Sequence, residues 1–590
     1  MAEAIGGEVA DQPWRIRPFV LALIGLIAAI MMQRLTDRGI DYGQVPQVPA
    51  FWRYALACGI GAGSLSFGFA LERTRWPWSV AFGIAVGLVA GLVLYWSGSP
   101  RGGFPFDWPA ASLVLSIVIW VPLFQAARDQ NAARFPYADV YGHAWTNIVL
   151  WGACWVFVAI TFALLWLLAS LFALIGLTFL KTFLNHDWAI AGLAGAAFGA
   201  ALGVLRDSDG VVRLLQRVAT AVLAVLGPVL AVGLAFFLLA LPFTGLHALW
   251  DATKATTPIL LCCVIGALVL ANAVIGNGVD QELPNPMLRT GATVLAACML
   301  PLAIIAAIAM GLRIGQYGFS PDRLWALVFV IFASACGVAY WAALLRGRMG
   351  WAPFARRANL TLAFAIAGVA FFLATPILSF NAISARDQVA RLESGKVTID
   401  TFDWAALAFD FGEPGRAALK RLAASGNAAI AARAKEVAAK GYRSDIVQAD
   451  QDRQQADALG TRLRVLPKPI PVPQDLRGLL TNWAACGENP KQHCTLYLTP
   501  GATEAFALRD DCIDRPLPQA DAMAAISGCD VARYHLDNGS WKDGAPDAPP
   551  LTPAQAAQRK AGLASGQVEV RQVQRRQVFV GGVPVGAAFE

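Results

Sequence analysis

Charge is scarce in this chain, and it is missing from the places where ion-coupled membrane proteins usually need it. Only 15% of its 590 residues are Asp, Glu, Lys or Arg, against 57% hydrophobic, and the mean hydropathy is +0.52. No Asp, Glu, Lys or Arg stands near the middle of any long apolar run, which argues against a conventional proton-coupled pump. Histidine is scarcer still, with five in the whole chain. There is no His-Glu-x-x-His pair, no phosphate-binding Gly-Lys-Ser/Thr loop and no Gly-x-Ser-x-Gly elbow. Zincin-type proteolysis, ATP hydrolysis and serine-hydrolase chemistry therefore lack their usual residues, and no cofactor is expected.

What remains is too apolar to be kept as one water-soluble globule, so lipid must solvate part of it. Apolar stretches able to cross a hydrocarbon core of about 30 Å recur between Pro18 and Phe380. Eleven are expected, over 18–33, 54–71, 76–96, 108–127, 146–171, 188–205, 218–241, 257–276, 289–311, 322–345 and 358–380. Runs such as Val218 to Leu241 are apolar on all sides, whereas barrel strands would alternate, so the spans are helices. The first run could also pass for a signal-peptide core, but Gln33, Arg34 and Leu35 follow it without a small-x-small cleavage pattern, and a span is preferred. The segment Asn147 to Leu180 is long enough for one tilted helix with an interfacial piece or for two short spans.

The charges that exist are unevenly placed. Of 87 in total (47 basic and 40 acidic), 49 follow Phe380, while the net charge of +7 sits almost wholly ahead of it. With eleven spans and a cytoplasmic N-terminus, roughly 14 basic residues fall inside and 8 outside. Arg346, Arg348, Arg356 and Arg357 dominate that balance, and two spans over 147–180 would reverse it. The pattern suggests membrane orientation rather than nucleic-acid binding, with the C-terminal region periplasmic.

Six of the ten cysteines lie in expected spans, and the other four, Cys486, Cys494, Cys512 and Cys529, cluster in the tail. An even number in one short region suits two disulfides in an oxidising compartment. A zinc site with His493 and His535 is the rival reading, but no pair has the two-to-four-residue spacing of common structural sites. Three pairings are open, 486 with 494 and 512 with 529 being the most local.

The expected architecture is thus a polytopic α-helical membrane protein of about eleven transmembrane helices with a C-terminal extramembrane α+β domain. Residues 1–380 form the helical domain and 381–466 a juxtamembrane region of short helices, as over Ala417 to Ala423 and Ala428 to Ala439. A proline-rich connector, 467–473, then leads to a disulfide-containing domain over 474–590. Strands are expected at Thr495 to Leu498 and Glu504 to Leu508, a strand or hairpin near Val568 to Gly582, and a loop over Asp537 to Pro553.

Candidate sites are sparse. Gly83, Gly87 and Gly91, and again Gly195, Gly199 and Gly203, line single helical faces, which suit either static packing or a sliding interface. Pro122, Pro228, Pro301 and Pro376 fall within expected spans and could mark broken helices. Asn272 is the most notable intramembrane polar residue, lining a cavity or making an interhelical hydrogen bond. His143, His186 and His247 sit with Tyr141, Trp145, Asp187, Trp188, Trp250, Asp251 and Lys254 at span ends, where an aromatic belt explains them and an intramembrane base is the alternative. After the ninth span, Ser320 is a plausible helix N-cap with Pro321 in the first turn. Asp322 suits the helix dipole there, and Gln316 and Arg323 could contact a headgroup or partner.

Several of these residues carry a likeness. His143-Ala144-Trp145, Leu171 through Gly176, Gln316-Tyr317-Gly318 with Pro321-Asp322-Arg323, Arg391 through Gly395 and Phe409 through Gly412 together resemble a bacterial membrane family, domain of unknown function 4153. The likeness spans roughly Tyr141 to Leu422. It implies a multi-span inner-membrane protein of a bacterium and supplies no catalytic residues. The expected role is a non-enzymatic envelope component whose periplasmic domain meets a protein or polymer. A transporter or lipid-handling protein, and an intramembrane enzyme, are the alternatives.

Overall fold

The computed structural model describes residues 14–37, 51–97, 108–252, 256–460, 462–467, 471–480, 493–499, 501–509, 531–544, 574–580 and 582–589, with Cys486 and Ala554. The chain divides into two compact units, Met1–Gln388 and Val389–Glu590.

In the first unit the long helices are α1 (Arg17–Thr36), α2 (Phe51–Ala70), α3 (Trp76–Ser97), α4 (Trp108–Gln130) and α5 (Tyr137–Leu174). After a short α6 (Phe179–Leu184) come α7 (Asp187–Arg206), α8 (Asp209–Ala252), α9 (Thr256–Ile275), α10 (Pro286–Tyr317), α11 (Pro321–Gly347) and α12 (Ala352–Ala374). Ten of them are long and apolar enough to cross a membrane. The remaining expected span, 54–71, forms α2, whose Arg53 and four glycines dilute its hydropathy. The segment 147–180 is one helix followed by a turn and α6. At 1.5 Å per residue, the 38 residues of α5 run about 57 Å, well beyond the roughly 30 Å of a hydrocarbon core.

The glycine faces are closure points between specific helix pairs. A Cβ on Gly59 of α2 would come 2.7 Å from the Gly87 carbonyl oxygen of α3, and one on Gly63 would come 2.8 Å from that of Gly83. Gly195, Gly199 and Gly203 of α7 likewise press on Gly25, Leu21 and Pro18 of α1, where a side chain would overlap the facing backbone. Such contacts replace a hydrophobic driving force with van der Waals packing. Around these pairs Leu21, Leu150, Cys154, Phe198 and Leu202 form one buried core. A second surrounds α10, whose Leu295, Met299, Leu302, Ala303 and Ala306 are wholly enclosed.

These prolines do not break the helices: α4, α8 and α10 continue through Pro122, Pro228 and Pro301, and the break in α8 comes later, at Gly245 (φ 73°, ψ 162°). Pro228 is accommodated by Gly291 of α10, where an added Cβ would stand 3.0 Å from its ring. Pro376 was expected inside the last span and instead lies beyond it. The helix ends at Ala374, with Thr375 extended (φ −79°, ψ 156°), because the residue before proline is pushed out of the helical region. The next helix, α13 (Phe380–Glu393), runs across the boundary between the units.

The second unit begins with buried Phe402, Trp404 and Leu407 around a π-helical turn at Ala406–Asp410. Short helices α14 (Gly412–Ala423), α15 (Ala428–Ala438) and α16 (Arg443–Gly460) follow. Buried Arg433 ties α15 to α16 by pairing with Asp450, and it also pairs at 2.7 Å with Glu436 of its own helix. Then come β1 (Leu463–Leu466), α17 (Gln474–Leu480), β2 (Cys494–Leu498), β3 (Glu504–Arg509), β4 (Ala532–Asp537) and β5 (Ser540–Asp543). A separate hairpin joins β6 (Arg576–Val580) to β7 (Val583–Phe589).

The sheet order is β1-β2-β3-β4-β5, with β1 parallel to β2 and the other pairs antiparallel. Cys494, Leu496 and Leu498 alternate inward against Leu476 and Leu480 of α17, as a half-buried strand requires. Two features differ from expectation. β1 lies ahead of the proline-rich stretch and yet belongs to the sheet, so that stretch does not part helices from strands. The loop expected from Asp537 begins instead as a hairpin, because Asn538 and Gly539 both take positive φ (49° and 82°), the turn whose twist matches paired strands. Residues 545–553 of that loop, and Val568, Val570 and Val573, lie outside the described residues.

Candidate functional site

Two networks of polar side chains lie at one end of the helical unit, where α1, α3, α5, α8, α10 and α12 begin and α2, α4, α7, α9 and α11 finish.

The first is a clamp on the C-terminus of α2. The last carbonyls of a helix lack intrahelical partners, and here Ser79 donates to Ala70 at 2.6 Å and Gln125 to Phe69 at 2.7 Å. Arg206 and Arg128 donate to Phe69 and Ala70 as well. Buried Arg17 pairs with Asp207 at 2.8 Å, Arg128 with Asp129 at 2.6 Å, and Glu72 stands 4.0 Å from both arginines. His143 completes the set 2.9 Å from Asp129. Guanidinium groups suit this place because they satisfy several oxygens at once and complement the negative end of the helix dipole.

The second network contains Asn272. Its Nδ2 donates to the Tyr340 hydroxyl at 2.7 Å, that hydroxyl donates to Asn359 Oδ1 at 2.9 Å, and Asn359 Nδ2 donates back to Asn272 Oδ1 at 2.6 Å. Three side chains from α9, α11 and α12 thus close a ring in which each both gives and receives. Tyr141 of α5 donates to the Asn272 carbonyl at 3.0 Å, and Tyr137 accepts from Asn359 at 3.3 Å. One turn below Asn359, Arg356 caps α9 by donating to the carbonyls of Ile275 and Gly278. Glu282 bridges Arg356 and Arg289, at 3.0 Å each.

The ring makes Asn272 an interhelical hydrogen-bonding residue. Sequence reasoning did not single out its partners Tyr340 and Asn359, although both stand inside expected spans, where a polar group needs a partner. Arg17, Arg128, Arg206 and Glu282 were also missed, having been counted only as loop charges.

The remaining candidates do not converge. His143 sits at the polar end, whereas His186 lies at the far end of α5, stacked 6.1 Å from Trp188. His247, Trp250 and Asp251 fall on α8 beyond Gly245, where side chains are outside the described residues, as is Lys254. Ser320 caps α11, accepting from the Arg323 backbone at 3.3 Å. Asp322 accepts from the Trp108 indole at 3.1 Å, Arg323 donates to Gly318 at 2.9 Å and lies over the Tyr317 ring, and Gln316 is exposed nearby. This second cluster therefore ties α4, α10 and α11 together.

In the second unit Cys486 and Cys494 are joined by a disulfide, with Cα atoms 5.4 Å apart. Cys512 and Cys529 lie outside the described residues. His493 is exposed, and His535 is buried with Nδ1 3.0 Å from the Gly544 oxygen. Among the described residues no group of three or more His, Cys, Asp or Glu could hold a metal ion. Glu504 is held by Arg576 at 2.7 Å and Arg533 at 2.6 Å, and these hydrogen bonds lower its carboxyl below the usual range.

The fold defines a polytopic helical membrane protein carrying a second unit of short helices and a small sheet. The model of the family described as Domain of unknown function (DUF4153) matches residues 59–419, more than half of the chain, and the protein belongs to that family. No curated protein and no solved structure matches it.

Proposed function

We propose that this protein is a non-enzymatic component of a bacterial inner membrane whose helical unit presents the second unit to the periplasm, where a protein or envelope polymer binds it. The observation that carries the reading is the Cys486–Cys494 disulfide, since such bonds persist in oxidising compartments. The arginines support it independently. Arg17, Arg128, Arg206, Arg289 and Arg356 all sit at one end of the bundle, the end that the charge rule retains in the cytoplasm. The chain leaves α12 at the other end. A periplasm-dependent reporter fused after Glu590 is expected to be active, and a cytoplasm-dependent one silent. The reverse result removes the periplasmic reading.

A second reading, lipid handling, is favoured by an apolar groove of about 700 Å³ along α2 and α3, floored by Gly59, Gly63, Gly83 and Gly87 and flanked by Phe67 and Tyr95. Its volume falls within the usual range of ligand sites. Lipid exchange between vesicles by the purified protein, abolished by Leu88→Trp at an exposed position of the groove, is the expected sign of that activity.

A further inference from the structure

Beside the Asn272 ring a cavity of about 200 Å³ opens between the α9–α10 turn and the start of α12. Its floor is apolar, made by Val274, Ile275 and Ala352, while Glu282, Arg289 and Thr290 form a polar mouth. The charge at this mouth is not balanced. Among the residues that line it Glu282 is the carboxylate, and it is shared by two guanidinium groups, Arg289 and Arg356, a formal excess of one. Arg346 and Arg348 at the end of α11 and Arg357 on α12 are exposed and lie within six residues of the cavity-lining Trp351.

The two arginines that share Glu282 are unequal. Arg356 is buried, and its donors go to the α9 carbonyls and to Glu282, so it is committed to structure. Arg289 lines the cavity, is half exposed and gives one nitrogen to Glu282 at 3.0 Å, and a guanidinium carries five donors in all. A planar guanidinium fixed at one edge is the geometry that receives a phosphate through two parallel hydrogen bonds. A polar mouth over an apolar floor at a helix end, with excess positive charge, also matches basic pockets that bind lipid headgroups.

We propose that this cavity binds a phosphate-bearing anion, with Arg289 as its principal contact and Thr290 beside it. The anion is the headgroup of an acidic phospholipid or a soluble phosphate compound, and one experiment separates them. The full-length protein is placed in phosphatidylcholine nanodiscs containing a minor fraction of phosphatidylglycerol, and the lipid retained after gentle extraction is counted by native mass spectrometry. Retained phosphatidylglycerol that falls at least five-fold in Arg289→Gln, and not in Arg34→Gln at the opposite end, supports the site with a lipid occupant. No preferential retention, but millimolar inorganic phosphate raising the melting temperature of wild type and not of Arg289→Gln, supports it with a soluble one. Thr290→Leu, at an exposed position, fills the mouth without removing charge and is expected to reproduce the loss. If Arg289→Gln and Thr290→Leu both match wild type in retention and in the phosphate response, the proposal is wrong.

Discussion

Replacing Tyr340 by Phe removes one oxygen and, with it, two of the three bonds of the Asn272–Tyr340–Asn359 ring, those of 2.7 and 2.9 Å. Asn272 Nδ2 keeps its bond to the Leu268 carbonyl at 2.8 Å, but Asn359 Oδ1 loses its donor in a half-buried setting. Side-chain hydrogen bonds between membrane helices average about 0.6 kcal/mol and reach about 1.7, so two lost bonds predict a destabilisation of about 1–3 kcal/mol. The ring adds a sharper expectation. Because each member bonds both others, Tyr340→Phe and Asn272→Ala together should cost less than the sum of the two singles, by about 0.5 kcal/mol or more. Reversible unfolding in mixed micelles, followed by circular dichroism for wild type, both singles and the double, measures this. Additivity within about 0.3 kcal/mol would refute the closed ring.

Other outcomes follow from the same geometry. Gly195→Val forces a branched side chain into the α1 backbone and is expected to destabilise the helical unit by about 3 kcal/mol or more, seen as a lowered midpoint in the same unfolding assay. Cys486→Ser opens a loop with a sequence separation of 8 and should lower the stability of the second unit by about 2–3 kcal/mol, with thiol alkylation before and after reduction verifying the bond. Since Glu504 has a folded-state pKa below its unfolded value, its ion pairs stabilise the second unit fully above the unfolded value. That contribution is lost as pH falls through the folded one. Glu504→Gln should flatten that part of the acid-unfolding curve. An unchanged curve would count against the Arg533–Glu504–Arg576 cluster.

The helical unit was largely legible because lipid imposes a length and an all-round apolarity that composition displays directly. Helix ends were harder: α5 begins more than two turns before its expected limit and α10 runs more than a turn past its own, since polar residues such as Tyr137 and Arg313 stay helical outside the apolar run. The site was only half legible. Asn272 stood out as polar among apolar neighbours, but its ring partners come from α11 and α12, 68 and 87 residues away. Periodicity cannot join residues across that distance. In the second unit the strands β2 and β3 followed from their alternation, while β1 did not, because Leu-Arg-Val-Leu beside a proline run reads equally well as an extended linker. The Asn538–Gly539 hairpin did carry its signal, and the surrounding Gly, Pro and Asp residues obscured it.

The position of β1 bears on how this protein can be cut and recombined. A fragment begun after the prolines would look like a natural domain, yet it would leave β2, whose run Cys-Thr-Leu-Tyr-Leu carries no charge, with one side unpaired. An uncharged, β-prone free edge invites pairing with another chain. The smallest heritable module therefore starts before Leu463. An insertion or fusion at the prolines must still let the strand behind it return to its neighbour.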